Sequence, residues 1–301
     1  MVTGHSAPDH AKSRIATGMG KASILMEALP YIQRFSGKVV VVKYGGSMMT
    51  DVELSHSFAG DITLLSTVGI KTVIVHGGGP QISRAMESEG IEPNFVDGLR
   101  VTDHRTMRVV QRMLLGEVNA DIVAMLSSHG AEAIGVAGTD ARLLRAVQKD
   151  ERLGYVGEVA GVNTALIESL LGDGLVPVIA PIAMGDDGHT YNVNADTVAA
   201  AIAGALDAHK LVYLTDVDGV YEDADDPSTL ITRMDRGRLG QLLETMSGGM
   251  LPKLTSAAAA LDQGVRRAHI LDGRVQHVVL LEMFTREGVG TMMTQPGDDR
   301  P

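Results

Sequence analysis

Short apolar runs rich in β-branched residues alternate along this chain with longer stretches whose apolar residues recur at helical spacing. The short runs predict strands, and the longer stretches predict helices. The predicted strands lie near residues 38–44, 72–76, 133–136, 176–180 and 210–214, and the predicted helices near 54–68, 80–89, 102–129, 163–172, 195–205 and 253–263. This alternation is typical of an α/β protein with helices on both faces of an open, mostly parallel sheet, where ligands bind beyond the carboxyl ends of the strands.

The first 37 residues are predicted to lie outside that sheet. Residues 1–20 show no hydrophobic periodicity and predict a flexible tail. Apolar residues at helical spacing predict a helix over residues 22–35, and Pro30 inside the pattern predicts a kink. The Gly- and Asp-rich segment 184–188 is the candidate boundary between two lobes. The predicted organisation is a tail and kinked helix over 1–37, a first lobe over 38–184 and a second lobe over 185–301.

Composition narrows the classes of function. The formal net charge of -11 and an aromatic content of 3% argue against a nucleic-acid partner, which needs a basic surface and aromatic stacking. The chain has no cysteine, which excludes disulfides, thiol nucleophiles and cysteine-bound zinc and suits a reducing cytoplasm. No apolar run has the length of a membrane span, and residues 1–20 lack the apolar core of a signal peptide. We therefore expect a cytoplasmic protein that binds neither nucleic acid nor membrane.

Two predicted strands end in glycine-rich turns that lead into helices. A turn of this kind directs backbone N–H groups and the positive end of a helix dipole at an anion. Lys43 adds a full positive charge to the first turn, which we predict to hold phosphate oxygens. The second turn suits close approach of a ligand to the main chain, but tight packing of helix on strand explains it equally well. The turns are Lys43-Tyr44-Gly45-Gly46 and His76-Gly77-Gly78-Gly79-Pro80.

The spacing in these turns also bears on alternative functions. Neither turn has the Gly-Lys-Ser/Thr ending of a Walker A loop or the Gly-x-Gly-x-x-Gly spacing of a dinucleotide fingerprint. An NAD-dependent dehydrogenase is therefore disfavoured. His76 follows a buried apolar run, and we interpret it as a packed residue at the end of a strand rather than as a catalytic base.

Three further segments carry candidate chemistry. Asn192, Asn194 and Asp196 alternate before an alanine-rich helix, so they either cap the helix or present one polar face to a ligand. The aspartates of the turn after the strand at 210–214 could bind Mg²⁺, although we favour simple satisfaction of backbone donors. Lys253 begins a helix, where a cation opposes the dipole; this hints at function, but a solvated surface lysine is the simpler explanation.

Together these segments resemble the amino acid kinase family over residues 38–293. Within that family the resemblance is greatest to members that phosphorylate N-acetyl-L-glutamate in arginine biosynthesis. It rests on the two glycine turns and on Gly98-Leu99-Arg100-Val101-Thr102, Asn192-Val193-Asn194-Ala195-Asp196, Leu214-Thr215-Asp216-Val217-Asp218-Gly219 and Gly248-Gly249-Met250 through Lys253. One departure is Ala141, where glycine is common in the family. The resemblance implies an open αβα sandwich with the acceptor substrate and the dimer contact in the first lobe and ATP in the second.

The resemblance also implies roles for individual residues. Lys43 and Lys253 would stabilise the transferred phosphoryl group, and Asp196 would hold both lysines in place. The backbone N–H groups of Gly45, Gly46 and Gly78 would donate to the same group. The acceptor would be bound by Gly78, Gly79, Arg100, Asn192 and Asn194. The Arg100 guanidinium group would make a bidentate contact with its α-carboxylate. The nucleotide would lie against Thr215, Asp216, Asp218 and Gly219, with Mg²⁺ held by the ATP phosphates and no direct metal ligand from the protein.

The N-terminal helix resembles the extra helix of arginine-inhibited members, which interlaces dimers into a hexamer. The resemblance therefore implies a homo-oligomer, either a dimer or a hexamer, and an inhibitor site for arginine that includes Tyr31, Lys210 and Glu282. Two alternatives stay open at this stage. The protein could act on another blocked acidic amino acid, such as an aminoadipate, aspartate or glutamate derivative, or it could be a catalytically silent sensor of nucleotide or arginine.

Overall fold

The computed structural model describes residues 7–223, 226–246, 249–285 and 288–297. The helices are α1 Ala7–Phe35, α2 Val52–Thr67, α3 Gly79–Ser88, α4 His104–Gln111, α5 Asn119–Ser128, α6 Ala165–Gly172, α7 Ala195–Ala205, α8 Arg236–Thr245, α9 Leu251–Asp262 and α10 Val278–Phe284. A π-helical segment, Arg112–Val118, joins α4 to α5. The predicted helix over residues 102–129 is therefore present, but in three successive parts.

The strands form one large sheet, one small closed sheet and two short hairpins. They are β1 Val39–Tyr44, β2 Lys71–His76, β3 Phe95–Val96, β4 Leu99–Arg100, β5 Ala133–Ala137, β6 Leu144–Gln148, β7 Val156–Val162, β8 Val176–Ala180, β9 Ile182–Gly185, β10 Thr190–Val193, β11 Lys210–Thr215, β12 Val220–Tyr221, β13 Leu230–Ile231, β14 Arg233–Asp235, β15 Arg267–Asp272 and β16 Thr291–Thr294.

The large sheet has eight strands in the order β14-β16-β15-β11-β1-β2-β8-β5. Its neighbouring strands run parallel except β15 and β16, so the prediction of a mostly parallel sheet is confirmed. All five predicted strands are present in it, as β1, β2, β5, β8 and β11.

Helices cover both faces of this sheet. Along β1, the side chain of Val41 belongs to one hydrophobic core, whereas those of Val40 and Val42 belong to the other. The first core includes apolar residues of α6, α7 and α9, and the second includes apolar residues of α2, α5 and α10. Because strands buried on both faces need apolar residues at every position, these strands read as continuous apolar runs in the sequence. The predicted αβα sandwich is confirmed.

Helix α1 begins earlier than the sequence predicted. It runs from Ala7 to Phe35, so the part of the predicted tail over residues 7–20 is helical, and residues 1–6 lie outside the described residues. The helix continues through Pro30 without interruption, and the kink there stays a prediction. Phe35, at its end, is buried in the core that contains α2 and α10, which fixes this end of α1 against the sheet.

The small closed sheet was not predicted. Its strands follow one another in the order β10-β7-β6-β9. The segment 184–188, which was the candidate lobe boundary, contains the end of β9 and part of the turn that leads to β10. The Gly185 N–H donates to His189 O across this turn at 2.8 Å. The large sheet contains strands from both sides of this turn. The division into lobes over 38–184 and 185–301 stays a prediction.

Candidate active site

Two lysines meet one aspartate at the carboxyl edge of the large sheet. Lys43 lies near the end of β1, Asp196 in the first turn of α7, and Lys253 in the first turn of α9. Lys43 Nζ is 3.1 Å from Asp196 Oδ1, and Lys253 Nζ is 3.1 Å from Asp196 Oδ2. Each lysine therefore pairs with a different oxygen of the same carboxylate. The group carries two positive charges and one negative charge, which leaves a net positive charge available to an anion.

Burial sets the electrostatics of this group. The Asp196 side chain is only 6% exposed, and those of Lys43 and Lys253 are 12% and 20% exposed. Burial by itself would raise the pKa of Asp196, but the adjacent charges of Lys43 and Lys253 outweigh it and hold that pKa below its usual range. Asp196 is therefore ionised at neutral pH. This favours a fixed counter-charge over a proton donor at this position.

The first glycine turn contacts the Lys43 ammonium group. A Cβ atom built on Gly45 would lie 3.0 Å from Lys43 Nζ, so a side chain here would crowd the lysine. Gly46 has φ +77°, a left-handed conformation that favours glycine. The Gly77 N–H donates to Tyr44 O at 2.8 Å and joins the second glycine turn to the first. The two turns are thus neighbours, as their places on the adjacent parallel strands β1 and β2 require.

The second turn packs against the π-helical segment. A Cβ atom on Gly78 would lie 2.6 Å from Leu114 Cδ2, so glycine is needed there for close packing. Gly79 has open space around the same position, and its carbonyl oxygen accepts a hydrogen bond from Arg100 Nη2 at 3.0 Å. Gly78 thus packs tightly, although against the π-helical segment, and Gly79 faces open space. Close approach of a ligand to this turn stays a prediction.

Arg100 is a buried cation beside the second turn. Its side chain also donates to Ser83 Oγ at 2.8 Å and lies over the Phe95 ring, with Cζ 4.7 Å from the ring centroid. Among the residues that the structure describes, Arg100 has no carboxylate partner. Burial lowers the pKa of Arg100, but a guanidinium group keeps its charge at neutral pH. A buried positive charge without a counter-ion suits an anionic ligand.

The two asparagines before α7 have different surroundings. Asn194 caps the helix, because its Oδ1 accepts from the N–H groups of Asp196 at 2.8 Å and Thr197 at 3.1 Å. Asn192 Nδ2 lies 3.4 Å from Thr102 Oγ1 and is only partly buried. Capping thus accounts for the oxygen of Asn194, whereas Asn192 is the better placed of the two for a ligand. A substrate contact by either residue stays a prediction.

The residues predicted to bind nucleotide follow β11. Thr215 ends the strand, and Asp216 is exposed after it. Asp218 accepts from Arg274 at 2.8 Å and from the Tyr221 hydroxyl at 3.0 Å. Gly219 has φ +155°, and a Cβ atom there would lie 2.7 Å from Thr291 Oγ1. The donors to Asp218 are therefore side chains, not the backbone donors that the sequence favoured, and both Asp216 and Asp218 are exposed carboxylates of this turn.

Sequence reasoning missed Arg274, which joins two loops at this edge. Arg274 Nε is 2.8 Å from Asp272 Oδ1, while its Nη2 reaches both Asp272 Oδ2 at 2.9 Å and Asp218 Oδ1 at 2.8 Å. The side chain thus ties the loop after β15 to the loop after β11. An apolar run that ends in Asp272-Gly273-Arg274 was the available signal, since the same pattern marks the turn after β11.

A second network missed by sequence reasoning supports Lys253. The Tyr213 hydroxyl donates to Ser256 Oγ at 2.9 Å, and Ser256 Oγ donates to Lys253 O at 2.9 Å. Tyr213 is fully buried in β11, and burial raises its pKa, so the hydroxyl remains protonated and can donate. The first turn of α9 is thereby tied to the sheet. Gly248, quoted with this segment, lies outside the described residues.

The predicted inhibitor residues lie at the opposite, amino end of β11. Lys210 Nζ is 2.7 Å from Glu282 Oε1, and both side chains are buried. Glu282 Oε1 is also 3.1 Å from His269 Nδ1. Burial would raise the pKa of Glu282, but His269 and Lys210 outweigh it and lower that pKa to about 2. Tyr31 of α1 packs against the core that contains α10. An inhibitor site that joins Tyr31 to Lys210 and Glu282 stays a prediction.

Comparison with known proteins identifies the family of this chain. A model of the Amino acid kinase family matches residues 38–272, which include Lys43, Arg100, Asp196 and Lys253. The chain belongs to the amino acid kinase family. Within this family it is 50% identical over 287 residues to the acetylglutamate kinase of Caldanaerobacter subterraneus subsp. tengcongensis, with 94% of this chain and 96% of the relative covered. It is 47% identical over 289 residues to the acetylglutamate kinase of Methanocaldococcus jannaschii, with 91% and 96% covered.

Solved structures show the same fold of the amino acid kinase family. An N-acetylglutamate synthase from Neisseria gonorrhoeae, complexed with coenzyme A and L-arginine, superposes with a TM-score of 0.77 at 28% identity. The match covers 91% of this chain but only 65% of the synthase chain. An isopentenyl phosphate kinase, at 20% identity and a TM-score of 0.61, shows the fold alone; 84% of this chain and 99% of that chain are covered.

In the part of the chain that the structure describes, no helix has the length and apolar character needed to cross a membrane. Within the same residues, no group of three or more histidine, aspartate or glutamate side chains is arranged to hold a metal ion.

Proposed function

We propose that this protein transfers the γ-phosphoryl group of ATP to the side-chain carboxylate of N-acetyl-L-glutamate, forming an acyl phosphate and ADP. The observation that carries the proposal is the placement of Lys43 and Lys253 on opposite oxygens of buried Asp196, beside two glycine turns. The identity with relatives that are named acetylglutamate kinases supports the choice of acceptor.

The charges of the two substrates explain why this arrangement suits the reaction. The acceptor carboxylate has a reference pKa of about 4.3 and is ionised at neutral pH, so no base has to remove a proton. The barrier comes from repulsion between two anions. Lys43 on the acceptor side and Lys253 on the nucleotide side would lower that repulsion while the phosphoryl group passes between in-line oxygens. Asp196 would act as the positioning residue that keeps the two ammonium groups apart and directs both at the transferred phosphoryl group.

The nucleotide would lie beyond the carboxyl ends of β11 and β15. Thr215, Asp216, Asp218 and Gly219 would line its site, and we add Arg274 because it joins the two loops there. The positive charge that remains on the lysine group and the N–H groups of the glycine turns suit phosphate oxygens. Mg²⁺ would be held by the triphosphate and would neutralise part of its charge.

Acceptor recognition would fall to the second glycine turn and to Arg100. The Arg100 fork, buried without a carboxylate partner among the described residues, would bind the α-carboxylate of the acceptor. The open space at Gly79 leaves room for the acceptor beside the Arg100 guanidinium group. Gly78 and Asn192 would contact the rest of the acetylated amino acid, and Asn194 would contribute chiefly by capping α7.

Regulation and assembly complete the proposal. We propose that arginine inhibits the enzyme at the region of Tyr31, Lys210 and Glu282, and that copies associate through α1 into a dimer or hexamer. Helix α1 supports association because it exposes several large apolar side chains, which are Met19, Ile24, Leu25, Met26 and Leu29. Arginine titration combined with mass measurement tests both parts. A monomer that is insensitive to arginine would refute them. A cytoplasmic location stays a prediction from composition.

A panel of acceptors tests the catalytic proposal. ADP release is measured with MgATP and N-acetyl-L-glutamate, N-acetyl-L-aspartate, an N-blocked aminoadipate or free L-glutamate, and the acyl phosphate is trapped as a hydroxamate with hydroxylamine. We expect the highest kcat/KM and a hydroxamate with N-acetyl-L-glutamate. A higher kcat/KM with another acceptor would identify a sister kinase, and ADP release with none would favour a sensor.

A further inference from the structure

His76, at the end of β2, is buried with both ring nitrogens in contact with polar groups. Its Nδ1 lies 2.8 Å from Gly77 O, and its Nε2 lies 3.0 Å from Asn119 Nδ2. A carbonyl oxygen can only accept and an amide nitrogen can only donate, so Nδ1 carries the hydrogen and Nε2 is the acceptor. Burial lowers the pKa of His76 to about 4, which keeps the ring neutral at neutral pH. The surroundings therefore select one tautomer.

Asn119 is itself held in one orientation. Its Nδ2 also donates to Val178 O on β8 at 2.9 Å. On its other side Asn119 packs against Gly135, where a Cβ atom would overlap Oδ1 of the asparagine. Turning the amide would place its oxygen against both Val178 O and the accepting nitrogen of His76, which is unfavourable. The amide of Asn119 thus fixes which nitrogen of His76 is protonated.

The hydrogen bond from His76 fixes one peptide of the second glycine turn. It holds the carbonyl oxygen of the peptide that joins Gly77 to Gly78. Because this peptide is trans, its N–H points away from its C=O, so the Gly78 N–H is directed away from the His76 ring. Among the described residues no acceptor is found for this N–H. Gly78 N–H is also one of the donors that the family resemblance assigns to the phosphoryl group.

The π-helical segment Arg112–Val118 supports the same turn from two directions. Its Leu114 fills the space at the Gly78 Cα, where an added Cβ would lie 2.6 Å from Leu114 Cδ2. The segment leads directly into Asn119, the first residue of α5. π-Helical turns are less favourable than α-helical ones and occur often at functional sites. Here the π segment contacts Gly78 and also places the residue that orients His76.

We propose that His76 and Asn119 are positioning residues for phosphoryl transfer: Asn119 keeps His76 in its Nδ1–H tautomer, and His76 thereby directs the Gly78 N–H at the transferred group. The inference rests on the proposed function above. A preorganised donor stabilises charge in the transition state without reorganising during the reaction. Loss of the orientation should therefore lower kcat much more than it raises KM for the acceptor, which Gly78 also contacts.

Two substitutions of His76 separate its two hydrogen bonds. Asparagine places an amide near the position of Nδ1 and can keep the bond to Gly77 O, whereas glutamine places an amide near Nε2 and keeps only the contact with Asn119. We expect His76→Gln to lower kcat roughly 30-fold or more, with both KM values within about 3-fold, and His76→Asn to retain most of kcat. His104→Gln, at an exposed histidine of α4, is the matched control. Equal kcat losses in His76→Gln and His76→Asn would overturn the inference.

Asn119→Asp gives a readout that loss of packing would not produce. The new carboxylate accepts from Nε2, so a neutral His76 ring would move its hydrogen to Nε2 and turn an unprotonated Nδ1 towards Gly77 O. Only the imidazolium form keeps Nδ1–H in this variant. We therefore expect kcat of Asn119→Asp to fall as pH rises through the pKa of that imidazolium, a step that is absent from the wild-type profile. A uniform loss at every pH would overturn the inference.

A spectroscopic test does not depend on the proposed function. In protein labelled with ¹⁵N-histidine, the His76 signals, assigned by their loss in His76→Asn, should report the Nδ1–H tautomer in the wild type. An Nε2–H tautomer there would overturn the inference, whatever the activity. Conversely, wild-type protein that shows the Nδ1–H tautomer but releases no ADP with N-acetyl-L-glutamate would refute the proposed function and leave the assignment of the tautomer standing.

Discussion

Lys43 Nζ lies 3.1 Å from Asp196 Oδ1, although the two residues come from β1 and α7 on either side of the predicted lobe boundary. The second oxygen of the same carboxylate pairs with Lys253. A buried carboxylate with two ammonium partners is stable only where both partners remain in place, since removal of one leaves a poorly compensated charge. The arrangement therefore fixes the positions of two cations at the edge where parallel sheets bind ligands.

Loss of either lysine should reduce the rate of phosphoryl transfer. In Lys43→Ala or Lys253→Ala, one of the two positive charges that face the moving group disappears, and we expect kcat to fall by roughly 100-fold or more, with KM for either substrate changed much less. Steady-state kinetics measure the split. Lys71→Ala, at an exposed lysine of β2, is the control and should keep full activity. An unchanged kcat in Lys43→Ala or Lys253→Ala would remove that residue from the mechanism.

Arg100 should determine affinity for the acceptor. Arg100→Lys keeps the charge but replaces the planar fork with a single ammonium group, so two parallel hydrogen bonds to a carboxylate can no longer form. We expect KM for N-acetyl-L-glutamate to rise roughly 10-fold or more and KM for ATP to change little. Arg84→Lys, an exposed position on the neighbouring helix α3, is the matched substitution. A rise confined to KM for ATP would show that Arg100 contacts the nucleotide and not the acceptor.

The buried pair of Lys210 and Glu282 should contribute strongly to folding stability once either partner is changed. Glu282→Gln leaves the Lys210 ammonium buried without its counter-charge, and we expect the free energy of unfolding to fall by about 3 kcal/mol. Lys210→Met combined with Glu282→Leu removes both charges and should recover most of that loss. Urea denaturation compares the three proteins. A double variant less stable than Glu282→Gln would show that packing, and not the unpaired charge, dominates.

The protein should lose stability in mild acid because His76 is buried in its neutral form. The pKa of His76 is lowered from 6.5 to about 4 in the folded protein, so between these values the unfolded chain binds a proton that the folded protein does not. The stability that depends on neutral His76 is therefore present above pH 6.5 and is lost as the pH drops towards 4. His76 contributes at most about 3.4 kcal/mol to this loss. Urea midpoints measured across this range should fall less steeply in His76→Asn, and identical slopes would contradict the assignment.

Ala141 occupies a backbone conformation that favours glycine. Its φ is +48°, inside the left-handed region. A left-handed residue with a Cβ atom costs roughly 1 kcal/mol. Ala141→Gly should therefore leave stability unchanged or raise it by a few tenths of a kcal/mol, because relief of strain offsets the added freedom of the unfolded chain. A lower thermal midpoint in Ala141→Gly would contradict this account of the position.

The sequence predicted β1, β2, β8 and β11 because each contains a run of apolar residues that is buried in the sheet. It missed β15, a buried strand between β11 and β16, because Arg267 and His269 interrupt its apolar residues. The strands of the small closed sheet were missed since they carry no such run; β7, for example, contains Gly157 and Gly161. The candidate lobe boundary fell within that same small sheet for the same reason. The early start of α1 was missed because residues 7–20 lack an apolar stripe at helical spacing.

The site could be assembled from sequence only through the family resemblance. Lys43, Asp196 and Lys253 are far apart in the chain, and no local pattern indicates that they share one carboxylate. Asn119 was missed for a related reason, because it begins a helix whereas its partners His76 and Val178 lie on strands distant in the sequence. Tertiary hydrogen bonds of this kind have no periodic signature in the sequence. The glycines of the two turns, by contrast, do mark positions where a side chain would not fit.

A single-turnover experiment with γ-³²P-labelled MgATP tests the central claim most directly. Wild-type protein, in excess over labelled ATP, is mixed with that ATP and N-acetyl-L-glutamate, and the reaction is quenched and treated with hydroxylamine. The Asp196→Asn variant is followed in parallel, and its affinity for ATP is measured separately. We predict rapid transfer of label to N-acetyl-L-glutamate as a hydroxylamine-sensitive acyl phosphate in the wild type, and much slower transfer in Asp196→Asn despite retained ATP binding. Label that stays in ATP with the wild type, or full transfer by Asp196→Asn, would contradict the account.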